Sequence, residues 1–134
     1  MRFLPDTNTL NYLLKGRQHV VSRFEKAASE DATFLLSSIA HFELTRYLDL
    51  KEAHKLLRDY QKITASWPHI NLEFRDWGEA ARLWAHRHRN GQGISDLDLL
   101  LAALARRAEA ILVTSNVRHF QGLGVELEDW MSPI

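Results

Sequence analysis

The chain opens with the stretch Met1-Arg2-Phe3-Leu4-Pro5-Asp6-Thr7-Asn8, in which a short apolar run breaks into polar residues. We interpret residues 1–4 as a buried strand, because Pro5 lacks an N–H group and is tolerated only where a strand is ending. Asp6 then stands just past the strand. A lone buried carboxylate is costly unless it is neutralised or finds a partner. Asp6 therefore indicates either a cap on the next helix or a ligand for a hard cation.

Strand and helix patterns alternate along the rest of the chain. Such alternation is typical of an α/β fold with a mostly parallel central sheet and helices on both faces. In these sheets, ligands bind beyond the carboxyl ends of the strands. We predict further strands at 33–36, 70–74, 110–113 and 125–127, and helices at about 9–28 with a break at Gly16, 39–48, 51–65, 76–88 and 97–107.

Composition narrows the class of protein. With 134 residues, 46% hydrophobic and 25% charged, the chain predicts a single globular domain over residues 1–134. No apolar run approaches the roughly 20 residues that span a bilayer, and no signal segment opens the chain. The absence of cysteine fits a reducing cytoplasm. Because the formal net charge is zero, an RNA partner would require locally concentrated positive charge.

Glu43 interrupts an apolar helical stretch. Residues four apart share a helix face, so Glu43 is expected to lie on one face with Ile39 and Tyr47. A carboxylate there would be desolvated unless it meets a cation or a hydrogen-bond network. The alternative is a salt bridge to Arg46 at the edge of the stripe.

Asp98 lies in Ser95-Asp96-Leu97-Asp98, just before an almost wholly apolar helix. We expect Asp96 to cap this helix and to be structural or supporting, which leaves Asp98 without a structural task. Asp98 could still serve the positive end of the helix, an effect of a few tenths to about 1 kcal/mol. Because the helix that follows is expected to be buried, its first turn should lie near the sheet edge. We therefore favour a functional role for Asp98.

Thr114 and Asn116 follow the predicted strand at 110–113. Their side chains can orient carboxylates or water around a metal, although Thr-Ser-Asn is also ordinary turn chemistry. Asp6 and Thr114 lie at strand ends, and Glu43 and Asp98 are expected in the first turns of helices that follow loops. We therefore expect all four to converge at one edge of the sheet.

Several stretches occur in a characteristic order: Leu4 to Asn8, Ser37 to Leu44, Ile94 to Ala103, Leu112 to Asn116, Arg118 to Phe120 and Val125 to Trp130. In this order they resemble the PIN-domain family, and within it the VapC-type toxins of toxin–antitoxin modules. Each motif alone is weak, but together they span almost the whole chain. The resemblance implies a three-layer, Rossmann-like α/β domain.

The resemblance also implies a Mg²⁺-dependent endoribonuclease, with Mn²⁺ as a substitute. Asp6, Glu43 and Asp98 would be both the catalytic residues and the metal ligands. Hydrolysis by metal-activated water would leave a 5′-phosphate and a 3′-hydroxyl. The chain departs from the usual family pattern at Pro5, before the first acid, and at Asn116, where many members carry a fourth acid. Supporting roles are implied for Asn8, Asp96, Thr114 and Asn116.

Partners follow from the same resemblance. Arg87, Arg89 and Arg118 are candidate RNA contacts, but the position of Arg87 and Arg89 near the end of a helix favours a solvated helix end, where the helix dipole also attracts basic residues. A small VapB-like antitoxin is expected to lie across a groove formed by the helices around 10–14 and 47–57, whose apolar residues are otherwise core. A homodimer is expected by analogy.

Other functions stay open on the sequence alone. A catalytically inactive PIN-fold module that binds RNA or protein, and a housekeeping RNA-processing nuclease, would share these motifs. A receiver-like phosphoryl acceptor would need adjacent acids after the first strand and a late Lys after the fifth. The chain does not have that order.

Overall fold

A computed structural model describes residues 1–132, so residues 133 and 134 of the predicted domain lie outside the described part. The strands are β1 (Arg2–Pro5), β2 (Thr33–Phe34), β3 (Leu36–Ser37), β4 (His69–Ile70), β5 (Ile111–Val113) and β6 (Leu127–Glu128). The helices are α1 (Thr7–Leu14), α2 (Gln18–Ser29), α3 (Ser38–Leu50), α4 (His54–Thr64), α5 (Phe74–Arg89), α6 (Asp96–Ala108) and α7 (Val117–Phe120).

The central sheet has the strand order β2-β1-β5-β6, and all its neighbouring strands are parallel. β3 and β4 form a second, two-stranded parallel pair. Successive side chains of a strand point to opposite faces, so β1 and β5 each supply both faces of the sheet. The predicted fold class, a parallel sheet between two helical layers, is confirmed.

Each face of the sheet supports its own hydrophobic core. On one face, Leu4 and Leu112 pack in a cluster that includes the buried side of α6. On the other face, Phe3, Ile111 and Val113 pack with residues of α1 to α4. The second core contains a cluster of aromatic rings, in which Phe24 and Phe34 have centroids 4.6 Å apart.

The most buried helix is α6, as its sequence predicts. Seven consecutive residues, 99–105, are buried, which requires contacts on every side of the helix. The predicted cap is wrong by one residue, because the N-cap is Ser95 and Asp96 is the first helical residue. The Ser95 hydroxyl accepts the backbone N–H of Asp98 at 3.3 Å. Ser and Asp are equally good caps, so residue preference does not separate them.

Three strand predictions differ from the structure. The strand predicted at 33–36 is divided between β2 and β3, which belong to different sheets. The strand predicted at 70–74 is only β4, and residue 74 already begins α5. The last strand lies at Leu127–Glu128 rather than at 125–127. In each case the ends of the strand depend on its hydrogen bonds to a strand distant in sequence, and the local pattern of apolar and polar residues does not predict those bonds.

The helices of residues 1–132 include none that combines the length and the apolar character required to cross a bilayer.

Candidate active site

The candidate site lies where the strand order reverses. The chain runs from β1 to β2 on one side and later returns to β5 on the other side of β1. Such a switch point leaves a crevice at the carboxyl ends of the two strands, where ligands of open parallel sheets bind. Pro5 pairs with Val113 at this edge, so Asp6 and Thr114 leave the sheet side by side.

Asp6 is held at this edge by the backbone. Its N–H donates to the carbonyl of Val113 at 2.9 Å, which continues the β1–β5 ladder by one bond. Its Oδ1 accepts the N–H of Thr9 at 2.8 Å, so Asp6 is the N-cap of α1. Burial raises the pKa of Asp6, and the nearby Asp98 charge raises it further, although hydrogen bonds from Thr9 and Thr114 act in the opposite direction. Asp6 is therefore a capping residue and also a carboxylate whose negative charge is destabilised.

Asp98 comes to the same crevice from α6. It is the third residue of the helix, in the first turn as predicted. Its Oδ2 lies 2.9 Å from Nε2 of His119 in α7, and about a third of its side chain, 35%, is exposed. Although they are distant in sequence, Asp98 thus lies close enough to Asp6 for its charge to raise the pKa of Asp6.

Glu43 reaches the site from α3 through Thr7. Thr7 is the residue after Asp6, and its hydroxyl donates to Oε1 of Glu43 at 2.8 Å. The other oxygen lies 3.9 Å from a guanidinium nitrogen of Arg46, so both interactions weighed from the sequence occur. Glu43 is the sixth residue of α3 and lies in its second turn, so the prediction of the first turn is wrong. The helix begins at Ser38, and Glu43 would lie in the first turn only if the helix began nearer to Glu43.

The donor set fits one kind of metal ion. Within residues 1–132, no three Asp, Glu or His side chains are placed to hold one ion together. Two carboxylates do lie near each other, because the charge of Asp98 raises the pKa of Asp6, to which the Thr114 hydroxyl also donates. Mg²⁺ takes one or two carboxylates and keeps several waters, so this pair of hard oxygen donors suits it. Glu43 as a third ligand stays a prediction.

The predicted supporting residues have different environments. Thr114 is fully buried, and its hydroxyl accepts the N–H of Asn116 at 3.0 Å. Asn8 and Asn116 are exposed, on the first turn of α1 and at the N-cap of α7. Asp96 is exposed in a groove with Trp77 and Trp84. Residues two apart on a helix face different ways, so Asp96 is turned away from Asp98.

The residues predicted to contact RNA also differ in their exposure to solvent. Arg87 is only 6% exposed, and one of its guanidinium nitrogens donates to the carbonyls of His119 and Gln121 at 2.8 and 2.7 Å. Arg87 is thus a structural link between α5 and the segment after α7, which argues against an RNA contact at this residue. Arg89 and Arg118 are exposed.

A groove of about 610 Å³ borders the site between α1 and α3, which we call the α1–α3 groove. Its walls include Asn11, Glu43, Tyr47 and Leu50. Leu50 is 79% exposed, so an apolar side chain lies open to solvent here. By contrast, Leu10 and Leu13 are core residues, so only part of the predicted groove sequence faces outward.

Two residues of the site were not found from the sequence. His119 bonds to Asp98, and Thr7 holds Glu43. From the sequence, Thr7 is a candidate helix cap and His119, beside Arg118, a candidate phosphate contact. The bond from His119 to a carboxylate is not predictable, because a four-residue helix such as α7 has no periodic signal.

A parallel sheet with paired acids at its switch point defines an α/β protein with a candidate metal-ion site. A PIN domain model matches residues 3–124, so the chain belongs to the PIN domain family.

Known proteins similar to the chain come from several bacteria. Ribonuclease VapC1 of Haemophilus influenzae strain R2866 is 25% identical, and the match covers 97% of this chain and 98% of that protein. Among solved structures, VapBC2 from Rickettsia felis bound to a promoter DNA fragment has a TM-score of 0.86 at 23% identity, covering 97% of this chain and 99% of that chain. DNA-bound VapBC from Salmonella typhimurium has a TM-score of 0.84 at 24% identity, covering 97% and 98%.

Proposed function

We propose that this protein is a metal-dependent endoribonuclease and the toxin of a toxin–antitoxin pair, a single cytoplasmic domain over residues 1–134. The observation that carries the proposal is the meeting of Asp6 and Asp98 at the sheet's switch point, in a chain of the PIN domain family. Its similarity over nearly full length to a protein named Ribonuclease VapC1 supports RNA as the substrate.

Asp6 and Asp98 would hold the ion, which we propose to be Mg²⁺ with Mn²⁺ as a substitute. A bound Mg²⁺ supplies Lewis-acid chemistry, which activates water and offsets the charge of a phosphodiester. The destabilised charge of Asp6 supports this role, because a cation beside it removes the electrostatic cost of its burial.

The chain's own residues fix the geometry of the site. The Thr9 N–H and the β1–β5 ladder hold Asp6 in place, and His119 restrains Asp98. The Thr7–Glu43 hydrogen bond holds the Glu43 carboxylate close to the residue that follows Asp6. We propose that Glu43 is the third catalytic carboxylate, with Asp6 and Asp98. Cleavage at this site should leave a 5′-phosphate and a 3′-hydroxyl, as expected for attack by water.

The α1–α3 groove is the proposed binding site of a small antitoxin. Its apolar wall at Tyr47 and Leu50 suits an amphipathic segment, and Glu43 at its edge suits a basic side chain. The solved VapBC structures, in which related toxins are found with antitoxins, support a partner of this kind. A homodimer is proposed by analogy with the family.

Cleavage of RNA by the purified, antitoxin-free protein tests the proposal. We expect cleavage of total RNA or tRNA with Mg²⁺ or Mn²⁺, and none with EDTA. Asp98→Asn keeps the size of the side chain and removes its charge, so it should abolish cleavage in a protein that still folds.

A matched control is Asp31→Asn, since Asp31 is exposed and has a φ of 60°, a conformation that Asn also adopts. This control should cleave at the unmutated rate. No cleavage by a folded protein that binds metal would favour the inactive PIN-fold module. Cleavage that persists in Asp98→Asn would contradict the site assignment.

A further inference from the structure

A second pocket, separate from the acid site, lies between α5 and the loop after α7. It has a volume of about 280 Å³, and its polar lining is mostly basic. We call it the basic pocket, and it is lined by Arg82, His86, Arg89, Arg106 and the loop residues 122–124, together with Leu83.

The positive charge of the basic pocket exceeds its negative charge. Arg82 and Arg106 both bond to the single carboxylate of Glu79, and Arg82 does so at 2.6 Å. Arg89 adds a third guanidinium group from the last turn of α5. The pocket thus has three guanidinium groups, and the one carboxylate of Glu79 pairs with two of them, in a protein whose net charge is zero. The pocket is one place where positive charge is concentrated.

The helix dipole explains only part of this arrangement. Basic residues in the last turn of a helix are favourable there, which accounts for His86 and Arg89 in α5 and for Arg106 in α6. Arg82 lies a full turn before His86, outside the last turn of α5. Arg82, His86 and Arg89 have the spacing of a single helix face, so the guanidinium charges of Arg82 and Arg89 lie on the same side of α5 and repel each other. A bound anion would relieve that repulsion.

The wall opposite α5 is a turn built from glycine. Gly122 and Gly124 have φ values of 82° and 73°, which favour glycine over other residues. A Cβ at residue 124 would lie 3.4 Å from the guanidinium carbon of Arg106, so the backbone passes directly against that group. This packing limits where the Arg106 guanidinium can go.

The basic pocket is connected to the acid site through Arg87. Arg87 bonds to the carbonyls of His119 and Gln121, and His119 contacts Asp98. The glycine turn begins at the next residue, 122. One short segment of chain therefore borders both the acid site and the basic pocket.

We propose that the basic pocket binds a backbone phosphate of the RNA strand at a distance from the bond that is cut. The inference rests on the proposed ribonuclease function and extends it by one substrate subsite. Guanidinium groups suit phosphate oxygens, and such contacts bind without reading sequence. The pocket would thus add affinity for any RNA strand and leave the choice of cut site to the acid crevice.

The test compares Arg89→Ala with Arg58→Ala, which removes the same charge from an exposed residue of α4 outside the pocket. Binding of a labelled single-stranded RNA is measured in EDTA over a range of salt concentrations. For Arg89→Ala we expect severalfold weaker binding and a salt slope smaller by about 0.7, the value for one phosphate contact on a single strand. Arg58→Ala should match the unmutated protein.

Cleavage with Mg²⁺ gives the second readout. A phosphate contact made equally in the ground state and the transition state changes KM and leaves kcat unchanged. We expect Arg89→Ala to raise KM severalfold at constant kcat.

Equal salt slopes for Arg89→Ala and Arg58→Ala, or no RNA binding by the unmutated protein, would overturn the subsite. The subsite would also be overturned if Arg89→Ala weakened the binding of an acidic protein segment and left RNA binding unchanged. RNA binding that depends on Arg89 without any cleavage by the unmutated protein would instead contradict the proposed enzymatic function.

Discussion

Arg87 shows how one residue can join a helix to the edge of the acid site. Its polar sequence neighbours, His86 and His88, suggest that the Arg87 side chain faces solvent. In the fold its guanidinium is buried and satisfies two carbonyls of the segment after β5. Burial of a charged group requires such hydrogen bonds, so Arg87 belongs to the structure of the site and not to its surface.

Arg87→Ala should lower the free energy of unfolding by about 3 kcal/mol, because a buried side chain is removed and two part-buried carbonyls lose their charged donor. Arg87→Lys should recover only part of this loss, since an ammonium group cannot reproduce the planar guanidinium. The measurement is unfolding in denaturant. Arg89→Ala, its exposed neighbour, serves as the control and should change stability by no more than about 0.5 kcal/mol. Equal losses for the two variants would contradict the structural role of Arg87.

At the scale of elements, an ion pair holds α5 against α6. Arg107 donates to both carboxylate oxygens of Asp76, with its Nε 2.9 Å from Oδ1, and Asp76 is only 2% exposed. Asp76 also accepts the N–H of Glu73 and thereby caps α5. Because Asp98 lies on α6, this pair helps to set the position of the Asp98 carboxylate.

The Asp76–Arg107 pair should make stability depend on pH. Burial works to raise the pKa of Asp76, but hydrogen bonds from Arg107 and the Glu73 backbone outweigh it, so the pKa is lowered. The stabilisation is therefore present above the pKa of the unfolded chain and is lost as the pH falls through the lower folded value.

Asp76→Asn should cost about 3 kcal/mol at pH 7, since it breaks a buried pair and leaves Arg107 with only the half-exposed carboxylate of Glu73 as an ionic partner. The gap between variant and unmutated protein should begin to narrow below about pH 4, where Asp76 of the unfolded chain takes up a proton, and narrow further as the pH falls through the lower pKa of the folded state. Denaturant unfolding at several pH values measures it. Asp59→Asn, which removes half of an exposed pair with Lys55, should cost less than about 1 kcal/mol. A gap that stays constant with pH would contradict the linkage.

The same scale shows what the sequence could predict. Residues 110–113 are a continuous apolar run and residues 1–4 are apolar except for Arg2, and turn residues follow both, so β1 and β5 and the polar residues after them could be placed in advance. The division of residues 33–37 between two sheets could not be predicted, because it depends on which strand each residue pairs with. The His119–Asp98 contact was also beyond prediction, because it depends on the path of the chain after β5.

At the scale of the whole molecule, the acid site lies where both cores meet the sheet edge. Leu4 and Leu112 belong to one core and Phe3 and Val113 to the other, and Asp6 follows directly from these strands. A ligand that binds only the folded arrangement of this edge stabilises the entire fold by mass action.

Mg²⁺ or Mn²⁺ should therefore raise the melting temperature of the unmutated protein. At a metal concentration 100 times Kd, the expected stabilisation is about 2.7 kcal/mol. Asp6→Asn keeps a good N-cap for α1 but loses the ligand charge, so its melting temperature should no longer respond to metal. Thermal unfolding with and without metal measures this. Asp31→Asn should respond like the unmutated protein, and an equal response in Asp6→Asn would contradict the ligand assignment.

The most direct test of the account is a double-mutant cycle of RNA cleavage rates for Asp6→Asn, Asp98→Asn and the protein carrying both substitutions. If the two carboxylates act on one ion, each single substitution should reduce the rate by a large factor, and the double substitution should add little to either loss. Independent, multiplying losses, or a single variant that cleaves at the unmutated rate, would show that Asp6 and Asp98 do not form one active site.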